Sequence, residues 1–407
     1  MFKHDKAIIA DLAKEIKDIS QKSEQHENKL HWQEINDLHG TLPTMLVWED
    51  ELPWNELEKE NELKLHCVSA ISREQEKILR RKLYLWNHFR GNMVVESKLN
   101  LKPIYIDSMF GISEVGPQVY HNDSVKYMKY QQQIFSRNDI TKIKFPLLKY
   151  SKDENEEYIN KLQYLYNDIL QVELGVTRFN FSAWHFIIKW LGSDAFYSLI
   201  KTDNELLHEI INHVTKGYLE RLKQMEEYNI VRNNVGNYIC GSGGLTYITG
   251  SKCDSNNIMD LWGSTTSQVF EGTSPQTQKW LGVEYEKIWL ERFAYSYYGC
   301  CETLSDRIDI LSEIKNLRKI SISPWSNLDD AVQCIERKYV LSYKVNPSKF
   351  INPCWNIKEE QIEFKKILKQ LTKCSSEIII KDISTFGGHP ERVTQWLNMA
   401  KIEMEYI

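Results

Sequence analysis

Cys300 and Cys301 stand side by side, followed at once by Glu302, at the end of the run FAYSYYGCC. Neighbouring side chains on an extended strand point to opposite sides, so one thiol can face a cleft while the other packs outward. A thiolate is a nucleophile and a soft metal ligand, and with a carboxylate or imidazole from another strand it could hold zinc. Glu302, Asp107, His121 and Glu49 are the available partners. The same doublet also suits two small buried hydrophobes, the commonest fate of a free cysteine, and no HxC or CxxC pair accompanies it.

Other residues carry weaker chemistry. Gly241, Ser242, Gly243 and Gly244 follow the run NYIC and offer a backbone that can approach a ligand closely or bind an anion through its N–H groups. A simple turn would use the same residues. Lys344 and Lys381 could anchor a substrate carboxylate or reach along a rim. Asp107 and Asp382 are candidate proton relays. His121 lies in the polar loop QVYHNDS, where capping a turn competes with ligation.

These residues meet only if they end parallel strands. Extended runs at residues 103–107, 169–174, 237–240, 293–301, 317–323, 339–344 and 377–384 alternate with amphipathic stretches at 203–227, 275–292, 304–314, 328–336, 358–371 and 390–404. Asn327 before Leu-Asp-Asp reads as an N-cap, and Pro390 suits a first helical turn. Regular βα alternation predicts a parallel sheet with helices outside it. With one or two strands from the first hundred residues, Thr41–Val47 as a candidate among them, the count predicts an α/β TIM-like (β/α)8 barrel with an N-terminal helical extension. Residues 1–100 are then a helical cap and 101–407 the barrel. Strand ends place Asp107, Gly241–Gly244, Cys300–Glu302, Lys344, Lys381 and Asp382 at one mouth, joined by Glu49 and Asp50.

The composition narrows the function classes. The 407 residues carry Lys+Arg 51 against Asp+Glu 56, net −5, with no basic block, which argues against nucleic acid or an anionic membrane surface as partner. Residues 179–192 are too short and too charged to span a membrane, and the charged N-terminus is no secretory signal. Scattered cysteines predict a cytoplasmic protein with reduced thiols.

YYGCCE, NLRKISISPW, YVLSYKVNP and EIIIKDIS together resemble the uroporphyrinogen decarboxylase-like superfamily, nearest its anaerobic, clostridial-type branch. WEDELPW, LRRKLYLWNHFRGNMVVE, GSGGLTY and LWGSTTSQVF extend the resemblance over most of the chain from about residue 40. It implies a TIM-like barrel and one of two chemistries. The cofactor-free decarboxylases use an Arg-rich segment of the RQAGRY type, and this chain has LPTMLVWEDELPW instead. The other chemistry is zinc-dependent methyl transfer to or from a corrinoid (cobalamin) on a partner protein. Those enzymes use His-x-Cys and a later Cys; here Tyr298 stands at the His position, and Cys374 precedes its strand. A zinc site would then combine Cys300 or Cys301 with an acid or His121.

The favoured expectation is therefore a corrinoid-linked, zinc-dependent methyltransferase acting on a small-molecule substrate, with Glu302 or Asp107 completing the metal shell. Two alternatives stay open. One is a cofactor-free lyase that uses Asp107 or Asp382 with Lys344 or Lys381. The other is a non-catalytic barrel that binds a ligand or a corrinoid protein.

Overall fold

The computed structural model describes residues 2–120, 126–175, 178–252 and 255–407. Seven strands make one sheet, parallel throughout: β1 (Thr44–Val47), β2 (Asn180–Phe181), β3 (Trp262–Thr265), β4 (Tyr295–Tyr298), β5 (Leu317–Ile322), β6 (Val340–Lys344) and β7 (Ser376–Ile380). Across the sheet they run β1-β7-β6-β5-β4-β3-β2, so the first strand lies beside the last. Parallel pairing needs crossovers, and helices such as Leu328–Ile335 and Ile357–Leu371 supply them. The α/β architecture matches the expectation. The sheet is not closed: β1 and β2 are its two edges.

Two expected barrel strands pair elsewhere. Gln171–Leu174 runs parallel to Lys98–Leu101, and Tyr105–Asp107 pairs antiparallel with Leu148–Tyr150, both outside the main sheet. NYIC forms no strand, only a single bridge from Ile239 to Leu245. Glycines with positive φ bracket it, Gly236 at 125° and Gly241 at 57°, and they turn the chain before a ladder can extend. β1, from the first hundred residues, belongs to the sheet.

Side-chain alternation gives the sheet two different faces. Ile320, Ile322, Leu341, Ile378 and Ile380 join the main core with Phe364, Leu368, Val393 and Trp396 of the helices Ile357–Leu371 and Glu391–Glu405. The opposite face is largely polar. There Tyr297, Lys319, Ser342, Lys344 and Glu377 hydrogen-bond to one another, each fully buried.

The N-terminal helices hold this assembly from one side. Helix Ser23–Asn36 buries Trp32, and its Asn36 amide donates to the carbonyls of Leu245 and Tyr247 at 2.9 and 2.6 Å. Helix Ala70–His88 starts at Ser69, whose side chain accepts from Ser72 N–H. Asp5 of helix Phe2–Ser20 accepts the N–H groups of Val68 and Ser69 just before it. Among the described residues no helix is long and apolar enough to cross a membrane.

Candidate active site

The interior network begins with a buried ion pair. Lys319 Nζ donates to Glu377 Oε2 at 2.8 Å, and both side chains are fully buried. Ser342 Oγ and the Gly244 N–H donate to the other carboxylate oxygen at 2.6 and 2.9 Å. Burial opposes the Glu377 charge, but Lys319 and Lys344 outweigh it and hold the carboxyl below its ordinary value. One layer further on, Lys344 Nζ donates to Tyr297 OH at 2.9 Å and to Ser342 Oγ at 2.7 Å. Burial brings the Lys344 amine down to about 7 despite Glu377 nearby.

The thiols lie beyond the C-terminal end of β4. Gly299, at φ 99°, makes the turn; a Cβ there would meet Leu304 at 2.6 Å and Ser321 at 3.0 Å. Ser321 Oγ donates to the Cys300 carbonyl at 2.6 Å and fixes the next residue. Cys300 Sγ and Cys301 Sγ are 3.5 Å apart, both partly exposed. Lys381, just past β7, donates to both sulfurs at 3.7 and 3.5 Å. Its ammonium also contacts Asp382 Oδ2 at 2.9 Å and Glu51 Oε2 at 3.5 Å, and lies 5.6 Å from the centre of the Trp48 ring. Asp382 adopts φ 58°, a left-handed turn that Asp tolerates, and its N–H donates to Glu51 at 3.0 Å.

This constellation separates the two thiols electrostatically. The hydrogen bond from Cys301, and then Lys381 and Lys344 against the opposing effect of burial, bring Cys300 down to about 7. Hydrogen bonding to Cys300 and burial push Cys301 up. Burial works against the Lys381 charge, yet the two sulfurs and Asp382 hold its pKa well above the ordinary value. Cys300 is therefore the more acidic thiol of the pair, Cys301 also donates to Asp382 Oδ2 at 3.4 Å, and Lys381 is the cation that faces both sulfurs.

The remaining expected residues divide. Lys344, Lys381 and Asp382 join the thiols. Glu302 is buried and turned aside: it accepts Cys300 N–H at 2.8 Å and Thr266 Oγ1 at 3.2 Å, and burial raises its pKa. It shapes the turn and does not face the sulfurs. Asp107 is not at the mouth, because its strand belongs to the separate ribbon, where Arg221 Nε meets its carboxylate at 2.9 Å. Gly241, Gly243 and Gly244 are packed shut: added Cβ atoms would lie 2.2 Å from Tyr297, 2.5 Å from Tyr297 and 2.2 Å from Trp32. Ser242 donates to or accepts from Tyr297 OH at 3.0 Å. The carboxylate this loop binds is the protein's own Glu377. Glu49 lines a different cavity, beside β1. His121 lies outside the described residues.

The donors described at the thiols, which leave out His121, do not by themselves make a zinc site. Among the described residues no three His, Cys, Asp or Glu side chains form a metal-binding group, and the Lys381 ammonium already sits against both sulfurs and Asp382. A cation held by those donors would have to displace it. Sequence reading missed Glu51, Tyr297, Lys319 and Glu377. The charge of Lys319 inside the apolar run LRKISIS was the available signal, since a buried charge requires a partner. No family model matches the chain, and no curated protein matches it in sequence.

Proposed function

We propose that the chain is a methyl acceptor of uroporphyrinogen decarboxylase-like type in which the Cys300 thiolate takes one methyl group per chain. In this reading the sheet is a (β/α)8-type barrel left open at one stave, and support comes from β1 lying beside β7 as in a cyclic order. The observation that carries the reading is Lys381 Nζ, 3.7 and 3.5 Å from the two sulfurs at the C-terminal end of parallel strands. A thiol brought to about 7 is half ionised at neutral pH, where an ordinary cysteine is almost wholly protonated.

A corrinoid on a partner protein, when bound, would supply the methyl group as an electrophile, and a soft thiolate at an exposed strand end suits that donor. Cys300 would supply the sulfur electron pair that such a donor alkylates, and the pair of the broken bond would stay with the carrier. Lys381 stabilises the thiolate before transfer, Asp382 and Glu51 hold Lys381, and Ser321 and Glu302 fix the backbone that aims the sulfur. The lyase alternative would turn Lys344 and Lys381 to a substrate carboxylate. Both are already engaged inside the protein, which favours thiol chemistry.

The test is anaerobic incubation with methylcobalamin, followed by the cobalt absorbance. Wild type and Cys301→Ser should demethylate it, and Cys300→Ser should not. Equal rates with Cys300→Ser would remove the proposal.

A further inference from the structure

A second site lies beside the open edge of the sheet. A cavity of about 320 Å³ runs along β1 and reaches Gly175 and Arg178, which lead into β2. That is the small end of the range for ligand pockets. Neither cysteine lines it. Its walls are mostly apolar, with Leu46, Leu85, Phe89, Met93 and Leu245 prominent.

Its charged groups are of both signs, and Asn100, Asn237 and Tyr238 add neutral polar ones. Arg178 is neutralised by Asp50 at 2.8 Å, and Lys102 is exposed at the rim. Glu49, just past β1, and Lys82, on helix Ala70–His88, face the cavity from two elements, and no hydrogen bond joins either side-chain charge to a described residue. Asn100 also lines it. Burial raises the Glu49 pKa and lowers that of Lys82, and each partly offsets the other. Glu49 and Lys82 are thus the acid and the base inside a largely apolar chamber, with Lys102 at its rim and Arg178 paired to Asp50.

We infer that this cavity binds a small zwitterion with an apolar body, of the α-amino-acid class. Glu49 receives its ammonium, Lys82 receives its carboxylate, and Leu85, Phe89 and Met93 hold its side chain. A neutral apolar ligand would leave Glu49 and Lys82 desolvated without partners, and a simple anion would lie against Glu49. The inference stands on this cavity and not on the thiol chemistry.

Isothermal titration calorimetry with L-leucine and L-phenylalanine, and with their N-acetyl and methyl-ester forms, tests it on the full chain. The free amino acid should bind, and blocking either its amine or its carboxylate should weaken it at least tenfold. Glu49→Gln should weaken the free amino acid while leaving the N-acetyl form unchanged, and Lys82→Met should do the same with respect to the methyl ester. Cys300→Ser should bind as wild type does, so loss of the thiol reading leaves this one intact. No binding of either amino acid at millimolar concentration, or equal binding of free and blocked forms to wild type, would overturn it. That comparison needs no variant, so a variant that fails to fold does not spare the proposal.

Discussion

Lys381→Met removes the cation that faces the thiol pair, and its effect on Cys300 can be worked from the geometry. At 3.7 Å an ammonium and a thiolate attract by about 4 kcal/mol at an effective dielectric of about 20. Solvent at the partly exposed mouth screens this, and retaining about a third leaves ~1.4 kcal/mol, a tenfold fall in the acid constant. Cys300 should then rise from about 7 to roughly 8. The charged form is the reactive one, so iodoacetamide labelling should increase with pH through that value. Peptide mass spectrometry reads Cys300 alone, with exposed Cys334 and Cys354 as internal references. Lys381→Met should slow Cys300 labelling about fivefold at pH 7 and leave it unchanged near pH 10. Lys381→Arg should retain most of the wild-type rate. An unmoved midpoint in Lys381→Met, or an equal loss in Lys381→Arg, would refute the counter-cation argument.

Three further outcomes follow from the same contacts. Lys319→Met leaves the Glu377 carboxylate buried without its main partner and should cost about 3–5 kcal/mol in urea unfolding, while the double variant Lys319→Met/Glu377→Gln recovers much of the loss; no difference between single and double would count against the pairing. Gly244→Ala drives a Cβ to 2.2 Å from Trp32 and 2.9 Å from Glu377 and should lower stability by about 1–3 kcal/mol, whereas Gly250→Ala, with open space around it but φ 70°, should pay only the smaller backbone cost. Because Lys381 already holds the thiols, equilibration with zinc and desalting should leave well under one zinc per chain; a stoichiometric ion lost in Cys300→Ser would contradict that.

What could be read from the sequence depended on how local the signal was. β4 to β7 were recognisable because their cores, such as EIIIK and YVLSY, combine β-branched and aromatic residues between clear helical stretches. Asn327 capped its helix as expected, accepting from Asp329 and Asp330. β2 has only two residues and β3 contains a glycine that packs on Phe293, so neither carries a strand signature. Strand-like runs also do not declare their partners: 103–107 and 171–174 are extended but pair in ribbons, which moved Asp107 away from the mouth and left the sheet with two edges. At the site, Cys300, Cys301, Lys381 and Asp382 were legible because each ends a recognisable strand. Glu51 and the Lys319–Glu377 pair were not, since their meaning arises only when β5, β7 and the segment after β1 are side by side.

The central claim is that Cys300, and not its neighbour, receives the methyl group. Its most direct test is the mass of the peptide carrying both cysteines after reaction with methylcobalamin, with fragmentation to locate the change. A single added methyl on Cys300 sulfur, absent in Lys381→Met at neutral pH and short times, is the predicted result. Cobalt demethylation with Cys300 unmodified throughout, or with the methyl found on Cys301, would contradict it.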